Sequence, residues 1–355
     1  SDVVNDYILW AADEVKKRYG VTVKHVKVAD VGKSVSRVLA EKSLAKNSGG
    51  SIDLLWINGE NFSIMKENKL LRAPYAHSLP NSALVDYENK KSIVYDFNIP
   101  VDGMEIPWGM AQLVFIYDSA KLAKPPKNMQ GLLSFAKENP GRTTYPLPPN
   151  FHGTTFLKQA LLELTQDREK LYQPVAESDF ETVTAALWSF LDELHPNLWR
   201  KGRAFPTNSS EMKQLLADSE ITISLSFNPS DASNSITTGE LPETARSYVH
   251  ETGTIGNTHF LAVPYNASSP EGALVFANFL ISPEAQARKA DPAIWGDPTV
   301  LAMSKLDSSQ RQMFDVLSRD AAMLTPQELS RVLLEPHASW VTALEKEWEK
   351  RYSRW

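Results

Sequence analysis

Residues 50–62 read GSIDLLWINGENF. Ile52, Leu54, Leu55, Trp56 and Ile57 form an apolar run broken only by Asp53, which gives way at once to Asn58, Gly59, Glu60, Asn61 and Phe62. A short apolar run bounded by turn residues reads as a buried strand. Its carboxyl end opens into a polar, aromatic, glycine-bearing turn. Upstream, Ile8, Ala12, Val15 and Tyr19 share one helical stripe that Gly20 ends, and VTVKHVKVAD at 21–30 alternates as a half-buried strand does. Residues 34–46 read as a second helix, closed by NSGGS. Helix and strand in alternation predict an α/β fold with a parallel sheet, in which ligands collect beyond the carboxyl ends of the strands. The 58–62 turn sits at such an end.

Downstream, after a less regular stretch at 72–105, IPWGMAQLVFIYDSAKL (106–122) carries an apolar strand at Leu113–Tyr117 behind a Pro-Trp-Gly turn. The proline-rich 124–150 reads as a loop around one short helix at 131–138. In NFHGTTFLKQALLEL (150–164), Leu157, Ala160, Leu161 and Leu164 recur at helical spacing, with Thr154 or Thr155 as the expected N-cap. Val183, Leu187, Phe190, Leu191 and Leu194 define another helix ending before Pro196. In EITISLSFNPSD (220–231), Ile221, Ile223, Leu225 and Phe227 alternate with Thr222, Ser224 and Ser226, which predicts a strand ending at Asn228-Pro229-Ser230. GNTHFLAVPYN (256–266) is a further strand, followed by the helix starts SPEGA and SPEAQ. From 327 the tail reads as helix, with Trp340, Leu344 and Trp348 on one stripe.

At 355 residues the chain exceeds what one hydrophobic core usually serves, and two domains is the default. A composition of 42% apolar and 23% charged residues is that of an ordinary globular protein. The net charge of −6 is spread without like-charge blocks, which argues against nucleic acid as a partner. No stretch approaches the roughly 18–20 continuous apolar residues of a membrane span. With no cysteine, disulfides, thiolate metal sites and cysteine nucleophiles are excluded.

Catalytic and cofactor signatures are absent: there is no GxSxG elbow, HExxH pair, Walker A loop or GxGxxG fingerprint. The seven histidines stand far apart, so neither a metal nor a cofactor is expected. An acid–base pair of Glu60 and Asp297 has no spacing to support it. What recurs is the end of a strand or helix carrying aromatic and neutral polar groups together, at Trp56–Phe62, Pro107–Gly109, Phe151–Thr155, Ser226–Ser230, Gly256–Thr258 and Trp295–Asp297. Such groups give a small-molecule site its shape and orientation. Each also has a plainer role: Trp56 in a core, Asn58, Asn61 and Asn228 in turns, Gly109 at a positive φ, Gly153-Thr154-Thr155 in capping.

Taken in order, IDLLWINGENF, IPWGMAQLVFIYDSAKL, NFHGTTFLKQALLEL, FNPSD and GNTHFLAVPYNASSPEGALVFANFLISPEAQ resemble the extracellular solute-binding proteins of ABC importers, over almost the whole chain. Within that family they look most like the YnjB-like branch of thiamine-type or polyamine-type receptors. The resemblance implies a type II periplasmic binding protein fold of two α/β lobes joined by two crossing strands, near 108–117 and 258–264. Lobe one would comprise 1–110 and 262–355, and lobe two 111–261. It further implies a periplasmic monomer that closes over a small molecule and delivers it to a membrane permease. Members usually begin with a strand and a Trp-Gly-Gly loop, whereas this chain begins with the helix, so residues upstream of Ser1 are expected. Without that strand, each buried backbone group left unpaired in the sheet costs about 1–3 kcal/mol.

On this basis Trp56, Asn58, Glu60 and Asn61 are expected to meet the ligand from lobe one, with Trp108 near the hinge. Phe151, Thr154, Ser226, Asn228 and Asn257 are expected to meet it from lobe two or the crossing. A flat cationic heterocycle such as thiamine would stack on Trp56 or Trp108 and be neutralised by Glu60. A sugar, a polyamine or iron are the alternatives within the family. From another class, a hydrolase or transferase would use Glu60 and a second carboxylate.

Overall fold

The computed structural model describes residues 2–28, 30–177, 179–317 and 320–353. The chain divides into two compact units, Ser1–Ala111 with Asn257–Ser318, and Gln112–Gly256 with Arg319–Trp355. It opens with α1 (Asp2–Tyr19), α2 (Val31–Ser43), β1 (Leu55–Ile57), α3 (Glu60–Glu67), α4 (Lys91–Val94), β2 (Tyr95–Asp96) and β3 (Ile99–Pro100). Strand β4 (Glu105–Gln112) carries it into the second unit. There follow β5 (Val114–Asp118), α5 (Met129–Glu138), α6 (Phe151–Leu164), α7 (Phe180–Leu194), α8 (Ser209–Ala217), β6 (Ile223–Ser226), α9 (Asp231–Thr237) and β7 (Ala245–Tyr248). Strand β8 (Thr254–Ala262) returns to the first unit, which adds α10 (Pro270–Leu280), α11 (Pro283–Ala290) and α12 (Ser308–Asp315). The remainder, α13 (Pro326–Leu329), β9 (Val332–Leu333) and α14 (Ser339–Tyr352), belongs to the second unit.

In the first unit, β8 lies between β1 and β4, and β1 pairs with it antiparallel in the register Leu55↔Ala262, Trp56↔Leu261, Ile57↔Phe260. Because side chains alternate along a strand, this register sends Leu55 and Ile57 to one face and Trp56 to the other. Leu55 and Ile57 pack with Val35 and Val38 of α2 and with Phe62 and Met65 of α3. Burying side chains of this size contributes about 1.5–3 kcal/mol each. The opposite face joins Trp108, Leu261 and Trp295 to Tyr7, Ile8, Ala11 and Val15 of α1 and to Phe276 and Leu280 of α10. Helix α1 ends in Lys16, Lys17 and Arg18, which suit the negative end of its dipole, and Gly20 at φ 71° closes it.

In the second unit, β5 lies between β6 and β7 and pairs antiparallel with both. The predicted parallel sheet is therefore corrected: β1–β8 in the first unit and both ladders of β5 in the second are antiparallel, while β9 runs parallel to β8 through Thr254↔Val332 and Ile255↔Leu333. The described part of the VTVKHVKVAD segment is not a strand either. Val21 and Val23 touch the first unit's core, but Val26 and Val28 are more than half exposed, and the segment has no ladder partner among the described residues. Alternation alone cannot make a strand whose backbone groups find no neighbour.

The tail departs from expectation twice. It is not one helix from 327, and 319–355 belongs with the second unit rather than with lobe one. Helix α14 is fixed there by its aromatic stripe: Trp348 Nε1 donates to the Tyr145 hydroxyl at 2.8 Å, Trp340 Nε1 to the Gln173 carbonyl at 3.0 Å and the Tyr352 hydroxyl to Asp192 at 2.7 Å. The expected lobe boundaries, 110/111 and 261/262, compare with 111/112 and 256/257 in the structure. Among the described residues, no helix is long and apolar enough to cross a membrane.

Candidate functional site

The turn after β1 is held by the β2–β3 hairpin. Its tip residues Phe97 and Asn98 take φ 44° and 59°, and the Asp96 carboxylate accepts the Gly59 N–H on both oxygens at 2.9 Å. Gly59 has φ 61°, and a Cβ there would lie 2.9 Å from the Phe97 ring, so both conformation and space require glycine. The turn leaves Asn58 and Glu60 half-buried, and Asn61 is buried as α3 begins.

Trp56, 38% exposed, is the open face of an aromatic cluster. Its ring meets Trp108 edge-on at 5.0 Å and 85°, and His259 at 5.0 Å and 65°. Trp295 stands 5.6 Å from Trp108 and stacks on His259 at 6.4 Å. Trp108 is fully buried, so it backs Trp56 rather than facing solvent, and its indole N–H finds no acceptor among the described residues. A charged chain lies beneath the rings. His259 Nε2 is 3.0 Å from Asp297 Oδ1, and the Lys289 ammonium bonds the other Asp297 oxygen as well as the Pro298 carbonyl at 3.1 Å. Burial alone would raise the Asp297 pKa, but Lys289 and His259 outweigh it and hold the carboxyl below its ordinary range.

Gly109 belongs to this arrangement. It is not at a positive φ; what it supplies is space, since a Cβ would sit 2.2 Å from Asp297 Oδ2 and 2.8 Å from His259 Cδ2. The imagined Glu60–Asp297 acid–base pair also fails on chemistry, because both Asp297 oxygens are engaged.

In the second unit, Phe151 opens α6 and is 40% exposed, with its ring edge-on to Phe227 at 5.0 Å. The N-cap is Asn150, whose side chain accepts the His152 N–H, rather than Thr154 or Thr155, both of which are buried inside the helix. Thr154 donates to Glu345 at 2.7 Å and so ties α6 to α14. Ser226 is buried and accepts the Asn228 N–H at 3.2 Å, and half-buried Asn228 accepts the Ser230 N–H at 3.0 Å. Lys158 and Glu335 form a buried ion pair at 2.6 Å, with the ammonium 5.8 Å from the Phe151 ring centre. A surface hollow of about 390 Å³ lined by Val175, Phe180, Ala343 and Lys346 among others includes none of these residues.

The structure thus groups Trp56 with Trp108, and Phe151 with the Ser226–Asn228 turn through Phe227, while Asn257 is buried within β8 in the first unit. Sequence reasoning left His259, Lys289, Trp295 and Asp297 out of the site. One stretch that had stood out as a polar-aromatic end, Trp295–Asp297, bears two of them and Gly256–Thr258 stops one residue short of His259, while Lys289 carried no signal.

The family described as bacterial extracellular solute-binding protein matches residues 10–312. The protein YnjB of Escherichia coli is 46% identical over 349 residues, covering 98% of this chain and 88% of that protein. The chain belongs to the bacterial extracellular solute-binding proteins. It is thereby a member of a binding family and not an enzyme. Among solved structures, the TpPotD lipoprotein of Treponema pallidum is similar with a TM-score of 0.69 at 16% identity, covering 98% of this chain and 96% of that one. A putative extracellular solute-binding protein of Bordetella parapertussis gives 0.69 at 16%, over 99% and 96%. A putative spermidine/putrescine ABC transporter protein of Listeria monocytogenes gives 0.66 at 17%, over 98% and 95%. At such identities the likeness is one of fold, the α/β periplasmic binding protein fold.

Proposed function

We propose that this family member is the periplasmic receptor of an ABC importer, binding one small molecule reversibly and delivering it unchanged to a membrane permease. The observation that carries the reading is Trp56, half-open to solvent on a floor of buried rings, with the partly exposed His259 at its edge. An indole face fixed in this way suits stacking, and an ion-paired, fully engaged Asp297 below it suits orientation rather than proton transfer. In this proposal Trp56, Asn58, Glu60 and Asn61 contact the ligand and Trp108 supports them. Phe151 and Asn228 supply contacts from the second unit, with Thr154 and Ser226 holding the segments that carry them, and Asn257 belongs to β8 of the first unit.

The proposed ligand is thiamine or a related cationic heterocycle. It would place a flat cation on Trp56, a contact worth about 0.5–2 kcal/mol, with Glu60 as counter-charge. A polyamine is the second reading, favoured by the fold-level likeness to a protein described as a spermidine/putrescine transporter. Titration of tryptophan fluorescence with thiamine, spermidine, glucose and ferric citrate tests the choice. Saturable 1:1 quenching by thiamine that is lost in Trp56→Ala, with thiamine recovered intact, is the expected result. Saturation by spermidine alone moves the assignment to polyamines, and conversion of any of the four removes the receptor reading.

A further inference from the structure

Asp96 of the β2–β3 hairpin and Glu105 at the start of β4 are a pair of acids that the proposed ligand binding does not use. Asp96 is buried and takes the Gly59 N–H on both carboxylate oxygens. Glu105, the first residue of β4, is completely buried, and neither of its carboxyl oxygens meets an N–H or O–H donor among the described residues. The group against it is another acceptor, the Asp96 carboxylate, within hydrogen-bond reach. Two carboxylates in contact away from water repel and cannot both stay ionised. A proton on Glu105 turns the repulsion into an O–H···O⁻ bond to Asp96. The charge then rests on Asp96, which is the member with a donor to receive, the Gly59 N–H.

We propose that Asp96 and Glu105 share a single proton, and that the pair is the positioning element of the Asn58–Asn61 turn. Ionising Glu105 sets a second charge beside Asp96, the strain is relieved by displacing Asp96, and Gly59 moves with it. Burial first, and then the Asp96 charge, push the Glu105 carboxyl well above its ordinary range, with Lys66 opposing. Lys66 is itself engaged by Asp102 at 2.6 Å. Tyr75 also faces Glu105, and its hydroxyl accepts the Val263 N–H at 3.0 Å. The importance of the turn rests on the proposed receptor role; the shared proton does not.

The test tracks the Gly59 amide by proton–nitrogen NMR on the full chain, without ligand, from mildly acidic to alkaline pH. The wild-type resonance is expected to move with a midpoint above the ordinary carboxyl range. In Glu105→Gln, which keeps a donor for Asp96 but cannot ionise, it should hold its acid-side position throughout. In Asp96→Asn the pair's repulsion is gone, and the Glu105 titration, followed by its own carboxyl carbon signal, should fall by about one pH unit or more. A Gly59 resonance that is flat in the wild type, that titrates in the ordinary carboxyl range, or that moves equally in Glu105→Gln overturns the proposal. If the variants do not fold, the wild-type titration alone decides. Failure of every candidate ligand to bind would sink the receptor reading and leave this result standing.

Discussion

The two units present an exposed aromatic ring in opposite ways. Trp56 rests on three further rings and on a buried Lys289–Asp297–His259 chain, so its orientation is fixed by groups contributed from β1, β4, β8, α11 and the loop after it. Phe151 meets two rings edge-on, Phe227 and its own chain neighbour His152, at the first turn of a helix, and the polar groups around it bond to their own backbone or to α14. A preorganised face loses little freedom on binding. Under the proposed receptor role, the difference would put orientation of the ligand in the first unit and leave the second with adaptable contact. Both units nonetheless bury a Lys–carboxylate pair nearby, Lys289–Asp297 with its ammonium 5.6 Å from the Trp295 ring centre and Lys158–Glu335 with its ammonium 5.8 Å from that of Phe151.

Removing one member of either pair carries the largest expected effect. Lys289→Met and Lys158→Met each take the paired ammonium from a buried carboxylate, at about 3–5 kcal/mol, read from urea unfolding midpoints. The comparison sharpens in fluorescence: Lys289→Met should alter the emission of the Trp56 cluster, and Lys158→Met should leave it unchanged. Equal spectral change in both would mean that the first unit's rings do not depend on their own charged floor.

Next in size is a pair of opposed pH dependences. In the second unit, burial holds the His195 pKa down at about 4, and its Nε2 stands 2.7 Å from the Tyr145 hydroxyl, which also accepts from Trp348. The folded state binds fewer protons than the unfolded state below the ordinary histidine value, so stability is lost as pH falls from about 6.5 toward 4, by on the order of 2–3 kcal/mol. In the first unit, Glu105 is raised. Its contribution is full below the ordinary carboxyl value and is lost as pH rises through the folded one. Unfolding curves taken across pH should therefore flatten on the acid side in His195→Gln and on the alkaline side in Glu105→Gln. A shared slope unchanged by either variant would break the division.

How far the sequence could disclose this depended on whether partners lay close along the chain. The β1 strand and its turn were legible because burial, alternation and Gly59 sit within a few residues, and α6 and α7 because their stripes are local. The 21–28 segment misled because its pattern was local while the neighbour a strand needs was not there. Asn150 was missed as a cap because the threonines after it looked equally competent until α6 proved to start four residues earlier than Thr155. The chain under Trp56 was illegible for a sharper reason. Lys289 and Asp297 are 8 residues apart and His259 and Asp297 are 38 apart, with no fixed spacing to connect them. Its sequence traces were the Trp295–Asp297 stretch, which named Asp297 without its partners, and Gly109, which suggested a turn where the structure uses only the missing side chain.

Two glycines sharpen the comparison at a smaller cost. Gly109→Ala would force a methyl to 2.2 Å from Asp297, and Gly153→Ala one to 2.2 Å from the Pro146 carbonyl. Each should lose about 1–3 kcal/mol, as overpacked cores do, measured by thermal unfolding. Gly109→Ala should also disturb His259, whose ring carbon is 2.8 Å from the new methyl, and so broaden its imidazole resonances, while Gly153→Ala leaves them untouched.

The smallest effect belongs to Phe151→Ala. The ring is 40% exposed and meets only Phe227 and the adjacent His152 edge-on among the described residues, so its removal should cost about 0.5–1.5 kcal/mol of stability. Affinity decides its meaning. If the first unit alone orients the ligand and Phe151 merely covers it, the variant should weaken thiamine binding by only a few-fold in the same fluorescence titration, against loss of the signal in Trp56→Ala. A Phe151→Ala loss as large as that of Trp56→Ala would mean that a ring with little behind it is gripped as firmly as one with a floor. Preorganisation would then not be what separates the two units.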